Sequence, residues 1–218
     1  AEMTIGLVIL LAVAQGLTEF LPVSSSGHLR LLQRGFGVEA PQTLFDIVLH
    51  VGTLFPVLFV YRREIGRMLD GLFAAARRVA TPDQATQARL ALLVVVGSVP
   101  TGLIGVGLGG VMEQLALDLA WVAAALTLNA GILFGLGVVQ RRAEGAPGRS
   151  LEELTVRDAL LVGTVQGVAV FRGISRSGST ITAGMLSGLD REAAAAFSFL
   201  LSVPAILGAL LLKLDPAV

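Results

Sequence analysis

Two stretches of this chain are versions of one another. Residues 15–27 read QGLTEFLPVSSSG and residues 166–178 read QGVAVFRGISRSG. At an offset of 151, Gln15 matches Gln166, Gly16 matches Gly167 and Phe20 matches Phe171. Ser24, Ser26 and Gly27 likewise match Ser175, Ser177 and Gly178. Both stretches are polar and rich in glycine. They lie in a chain that is 54% hydrophobic and only 15% charged, where a soluble domain is about a quarter charged. In a membrane, such a break is tolerated only where protein buries it or water lines it. The repeat therefore predicts two broken elements that meet at one polar cavity. Small-residue packing between membrane helices also favours Gly and Ser. Six identities in thirteen positions are more than that preference explains.

The flanking segments set the architecture. Residues 4–14 are apolar, but too short for a span of about 20 residues, so they read as a re-entrant or buried segment. Pro22 and the Ser24–Gly27 turn then break the helix. Residues 28–40 read as a short helix and loop. Spans are predicted over 42–60, 89–109, 119–139 and 192–213, with a short amphipathic helix over 64–79. Residues 159–171 are a second short apolar run, and 179–189 another short helix. Aligning Phe45 with Phe197 places Asp46 on Ser198, His50 on Ser202 and Val51 on Val203. Each half is then a re-entrant helical element followed by transmembrane spans. The expected fold is an all-α polytopic membrane protein with inverted-topology repeats. It reads as one integral-membrane domain, 1–218: a first half over 1–139, a loop over 140–158, and a shorter second half over 159–218.

Charge placement orients it. Residues 61–88 carry Arg62, Arg63, Arg67, Arg77 and Arg78, and 140–158 carry Arg141, Arg142, Arg149 and Arg157. The positive-inside rule puts both in the cytoplasm. Residues 110–118, with Glu113 and Asp118 but no Lys or Arg, are then outside. The opening AEMTIGLVILLAVA lacks a basic flank and is not expected to be a cleaved signal peptide. Formal net charge is zero, so nothing draws the chain to nucleic acid. The absence of cysteine excludes disulfides and thiolate chemistry.

The polar breaks hold the candidate chemistry. Gln15 and Glu19 are four apart and can face one way; a membrane carboxylate is costly unless paired or functional. Ser25 and His28 are three apart, so a hydroxyl and a base can approach if a helix begins at Ser26. Ser24 or Ser26 can cap that helix. Arg176 lies between Ser175 and Ser177 just before a predicted helix. Its guanidinium can grip two phosphate oxygens, helped by the helix N-terminus, or pair with Glu19. Asp46 and His50 share a helical face and can line the cavity; with Asn129 and Glu113 they are weaker candidates, given no catalytic role. No P-loop, zinc signature or nucleophile elbow is present.

These residues make the chain similar to the integral-membrane undecaprenyl-pyrophosphate phosphatases, the bacitracin-resistance family. The first family motif is matched by Gln15, Glu19 and Pro22 through His28. The second, Pro-Gly-x-Ser-Arg-Ser-x-x-Thr, is matched from Gly173 through Ser175, Arg176 and Ser177 to Thr180, with Arg172 in place of the proline. The resemblance runs from residue 4 to about 213 and includes FDIVLHVGTL and FSFLLSVPAILGA. It implies two further spans after the last one read here.

The resemblance implies hydrolysis of undecaprenyl pyrophosphate to undecaprenyl phosphate and inorganic phosphate in the bacterial plasma membrane, at a site facing the periplasm. Glu19, Ser25, His28 and Arg176 would be catalytic, with Ser25 or a water attacking and His28 as base and then acid. Gln15, Ser24, Ser26, Gly27, Gly173, Ser175, Ser177, Gly178 and Thr180 would surround the substrate, and N–H groups around Gly27 and Gly178 would help to hold the pyrophosphate. A divalent cation, Mg²⁺ or Ca²⁺, would sit on Glu19 with Gln15 assisting. The polyprenyl tail would stay in membrane lipid. Oligomeric state is left open, a homodimer included. A polyprenyl-phosphate transporter or flippase is the competing class, since inverted repeats with polar tips also build transporters; a lipid or antibiotic receptor is a third.

Overall fold

The structure is a computed structural model describing residues 3–39, 43–142 and 148–214, with side chains for all of these except 138–142. Ten α-helices account for almost all of its regular structure. They are α1 Ile5–Thr18, α2 Ser25–Gly35, α3 Thr43–Val60, α4 Arg62–Ala76, α5 Pro82–Gly107, α6 Gly109–Leu115, α7 Leu119–Arg142, α8 Val156–Val168, α9 Arg176–Leu186 and α10 Arg191–Leu214. The side chains of Arg141 and Arg142, and residues 143–147 of the predicted basic loop, lie outside the described residues.

Among the described residues four helices are long and apolar enough to cross a membrane: Thr43–Val60, Pro82–Gly107, Leu119–Gly137 and Arg191–Leu214. They coincide with the four predicted spans. Only 17–28% of each apolar window is buried inside the chain, so the outward faces are left for lipid. Helix α5 starts at Pro82 rather than 89 because Thr81 and Gln84 form a capping box and proline occupies the first turn. The segment between the second and third spans holds the short α6, Gly109–Leu115.

The packing is tightest where α5 crosses α8. A Cβ on Gly163 would lie 1.9 Å from the Gly97 carbonyl oxygen, so two glycines let the backbones touch. Thr101 on α5 donates to the Gly163 carbonyl at 2.8 Å. The larger core, with Leu93, Leu154, Val162, Phe197 and Leu201, lies around this crossing. A smaller one, Leu7, Leu11, Leu29 and Val38, seats α1 and α2.

Arginines tie the two ends of the bundle differently. At one end Arg89 donates to the Glu152 and Leu154 carbonyls at 3.1 and 2.5 Å. There Arg149 also grips both Asp158 oxygens, at 2.9 and 3.0 Å, and the Ser187 carbonyl at 2.8 Å. The arginine-rich α4 packs on α5 at this end, where a Cβ on Gly71 would meet the Gln84 carbonyl at 2.5 Å. At the other end the buried Arg30 donates to the carbonyls of Ala116 (3.0 Å), Val38 (3.4 Å) and Glu39 (2.7 Å). Lys213 meets Glu113 at 2.5 Å on the same side.

Candidate active site

Each copy of the repeated phrase forms a helix, a break and a second helix. Helix α1 ends at Thr18 and α2 begins at Ser25; α8 ends at Val168 and α9 begins at Arg176. The second helix is capped by the equivalent serine side chain in both. Ser24 Oγ accepts from the Gly27 N–H at 3.3 Å, and Ser175 Oγ accepts from the Gly178 N–H at 3.1 Å. The breaks then touch reciprocally. A Cβ on Gly27 would lie 3.1 Å from Gly173 Cα, and one on Gly178 would lie 3.0 Å from Pro22 Cβ. Pro22 and Gly173 are equivalent in the repeat, as are Gly27 and Gly178, so the contact is self-complementary. Asn129 on α7 binds both: its Nδ2 donates to the Pro22 carbonyl at 3.0 Å and its Oδ1 accepts from the Ser175 N–H at 3.1 Å.

Glu19 is the centre of what this contact assembles. Its carboxylate is buried. Oε2 accepts from Ser25 Oγ at 2.6 Å and from Gln15 Nε2 at 2.8 Å, and lies 3.3 Å from His50 Nε2. Oε1 is paired with Arg176 Nη2 from the other copy. Thus Gln15, Glu19, Ser25 and Arg176 converge as the sequence predicts. The other terminal nitrogen of Arg176, Nη1, is buried without a hydrogen-bond partner among the described residues. A cavity of about 420 Å³ opens here, walled by Glu19, Ser24, Ser25, Ser26, Arg176 and Ser177. Its wall continues between α5 and α10 to Glu113 and Lys213.

Other expected residues are placed differently. Ser25 does not bond to His28. With α2 starting at Ser25, its hydroxyl turns to Glu19, while His28 Nδ1 lies 2.8 Å from the Ser24 carbonyl one turn back. A carbonyl only accepts, so Nδ1 carries the hydrogen. Gln15, His28, Gly27, Gly173, Gly178 and Thr180 are absent from the cavity wall among the described residues, Gln15 reaching it only through Glu19. The three glycines serve the contact between copies, and the N–H groups of Gly27 and Gly178, expected to hold phosphate, are engaged by the serine caps. Thr180 is held by Ser198 on α10 at 2.6 Å.

The sequence reading missed three features. His50 Nδ1 bonds to the Asp46 carbonyl at 2.7 Å, which presents Nε2 to Glu19. Asp46 pairs with Arg172 at 2.5 Å and accepts from Gln33 at 2.7 Å. Asn129 joins the breaks. The shared face of Asp46 and His50 was the available signal; their partners come from other elements.

The donor set does not make a metal cage. Among the described residues no group of three or more His, Asp or Glu side chains is placed to hold an ion. Mg²⁺ and Ca²⁺ want six or more oxygens. Here Glu19 is already faced by Arg176 and His50, Asp46 is taken by Arg172 and Gln33, and Gln15 turns its NH₂ rather than its oxygen toward Glu19. Glu19 and Gln15, expected as ligands, do not fit that role by themselves.

The family described as "Bacitracin resistance protein BacA" matches residues 8–217. The chain belongs to this family. It is 46% identical over 220 residues to an undecaprenyl-diphosphatase of Desulfatibacillum aliphaticivorans, covering 96% of this chain and 77% of the relative. It is 47% identical over 211 residues to one of Desulfosudis oleivorans, covering 94% and 75%. A third, from Carboxydothermus hydrogenoformans, is 43% identical over 206 residues, covering 94% and 72%. Membership fits a multi-pass membrane protein with four apolar helices.

Proposed function

We propose that this chain is an undecaprenyl-diphosphatase. It cleaves undecaprenyl diphosphate to undecaprenyl phosphate and inorganic phosphate, recycling the lipid carrier for cell-wall synthesis and thereby conferring bacitracin resistance. The observation that carries the chemistry is the Ser25–Glu19–Arg176 convergence, in which a hydroxyl already donates to a buried carboxylate. Glu19 takes the Ser25 proton as Oγ bonds to the terminal phosphorus. The bond from that phosphorus to the bridging oxygen breaks, and its electron pair leaves on the lipid monophosphate. Water then cleaves the phosphoserine, which releases inorganic phosphate and restores the serine. Arg176 supports the developing charge: Nη2 is on Glu19, and the unpartnered Nη1 is left for a phosphate oxygen. Gln15 and His50 hold Glu19 in place. His28 lies off the cavity wall and transfers no proton in this scheme: Glu19 returns its proton to Ser25 Oγ as water cleaves the phosphoserine, and the proton of the water leaves with inorganic phosphate. A divalent cation would neutralise diphosphate charge, and Glu19 with Gln15 would be the residues nearest to hold it. A transporter or flippase needs an anion clamp but no hydroxyl aimed by a carboxylate.

The same reading gives the fold its inverted repeat, with two re-entrant elements entering from opposite faces. Helices α1 and α8, with 14 and 13 residues, are too short to cross. Helix α3 runs from the Arg30 end to the arginine-rich end, and its counterpart α10 runs back. The cavity wall reaches Glu113 and Lys213, opposite the arginine-rich end. By the positive-inside rule the site then faces outward.

The test is phosphate release from farnesyl diphosphate by the purified protein. Ser25→Ala, Glu19→Gln and Arg176→Ala each lower the rate by about a hundredfold or more, and His28→Ala lowers it less than Glu19→Gln. A phosphorylated Ser25 should be trapped on acid quench. Wild-type rates in all three of the first variants would overturn the assignment.

A further inference from the structure

The reaction above does not use Arg172. It lies in the break between α8 and α9, four residues before Arg176, and lines the same cavity. Its side chain is 13% exposed and is fixed at one point: Nη1 bonds to Asp46 Oδ2 at 2.5 Å. Asp46 is fixed in turn, because Gln33 Nε2 donates to its other oxygen at 2.7 Å. Among the described hydrogen bonds Arg172 uses Nη1 alone. A guanidinium has five N–H donors in a rigid planar fork, so most of this one remains for a ligand, and the Asp46 bond sets its plane.

The two arginines of this break have different neighbours. Arg176 sits on Glu19 beside Ser25, where the terminal phosphorus reacts. Arg172 sits on Asp46, on the wall formed by α3. A diphosphate has two phosphates to place, and its charge exceeds what one arginine balances. We propose that Arg172 is a second anion contact that holds the lipid-side phosphate, the one retained in the product. Asp46 and Gln33 are its positioning residues. Arg172 then favours a diphosphate over a single phosphate group at this site. The inference rests on the hydrolase reading for which phosphate reacts, and on the cavity geometry alone for the contact itself.

Binding without turnover tests it. The full chain in detergent is titrated calorimetrically with methylenediphosphonate, which cannot be cleaved at its bridge, and with inorganic phosphate. Wild type should bind the diphosphonate more tightly. Arg172→Gln should weaken the diphosphonate about tenfold, the size of one charge-assisted contact, and leave phosphate unchanged. Arg176→Gln should weaken both. Arg172→Lys keeps a charge toward Asp46 but lacks the fork, and should show an intermediate loss; it also stands in if the glutamine variant does not fold. A purely structural ion pair would shift the melting temperature of the Arg172 variants and leave the ratio of the two affinities as in wild type. That result, or equal losses for both ligands, would overturn the contact. Phosphate release from farnesyl diphosphate is measured separately. Its absence in wild type with the diphosphonate difference intact would remove the reaction and keep Arg172 as an anion contact.

Discussion

The two copies of the broken element share a backbone plan and divide the work. Both keep a buried glutamine, a serine cap and a reciprocal glycine contact. They differ where side chains reach the cavity. Glu19 faces Val170 in the alignment, Ser25 faces Arg176, and His28 faces Ser179. They also bend differently. In the first break Ser24 itself takes the left-handed conformation, φ 64°, whereas in the second Gly173 does, φ 99°. Their seating differs most. Helix α8 is pressed into α5 at Gly163 and Gly167, while α1 turns Ile5, Ile9, Val13 and Leu17 outward. A repeat can thus conserve the geometry that joins its halves while each half specialises.

The largest expected effect comes from trying to move the chemistry between copies. Glu19→Gln should lower turnover about a hundredfold or more, and adding Val170→Glu should not restore it, because Arg176 would then sit in the same copy as the carboxylate. Rescue in a phosphate-release assay would show that the copies are interchangeable.

A matched glycine pair probes the seating. A Cβ on Gly167 would lie 2.9 Å from Ile104 Cβ, but one on Gly16 meets nothing within 4 Å. Gly167→Ala should destabilise by about 1–3 kcal/mol. Gly16→Ala should stabilise α1 by about 0.5–1 kcal/mol, since alanine is the better helix former. Thermal unfolding in detergent reads both, and equal effects would remove the contrast.

The end anchors should respond differently to acid. Burial opposes the charge on Asp158, but the bonds from Arg149 and Thr155 outweigh it and hold the carboxyl well below the usual carboxylate range. A depressed pKa adds stability above the unfolded value, near 4, and that contribution is lost as pH falls through and below it. Arg30 binds only carbonyls and has no such dependence. Melting temperature should therefore fall more steeply below about pH 5 in wild type than in Asp158→Asn.

The smallest effect concerns the caps. Glycine in place of a capping serine costs a few tenths of a kcal/mol. At Ser24 that loss is offset by relief of a left-handed backbone, worth about 1 kcal/mol. Ser24→Gly should melt at or slightly above wild type, and Ser175→Gly slightly below. The opposite order would mean the first break is not strained.

Much of this was legible in the sequence because membrane constraints are strong. Four spans followed from apolar length, and the meeting of the breaks followed from the repeat. The Glu19–Arg176 pair was readable as two opposite charges that an apolar interior would not leave apart. The partner of Ser25 was not. Spacing put His28 within reach, but the helix begins one residue earlier than supposed and the imidazole folds back on its own turn. His50 and Arg172 were visible as residues and opaque as contacts, since each meets a partner on another helix. Nothing local in α7 marks Asn129 as the link between the breaks.

That link has a mechanical consequence. An amide carries its donor and acceptor at a fixed spacing, so Asn129 gauges the gap between the strand of chain that bears Pro22 and the one that bears Ser175. If the amide stays engaged through turnover, the jaws of the enzyme never part. A lipid as long as undecaprenyl diphosphate must then pass in and out sideways, along the slot between α5 and α10, as a thread is drawn through the slit of a bead.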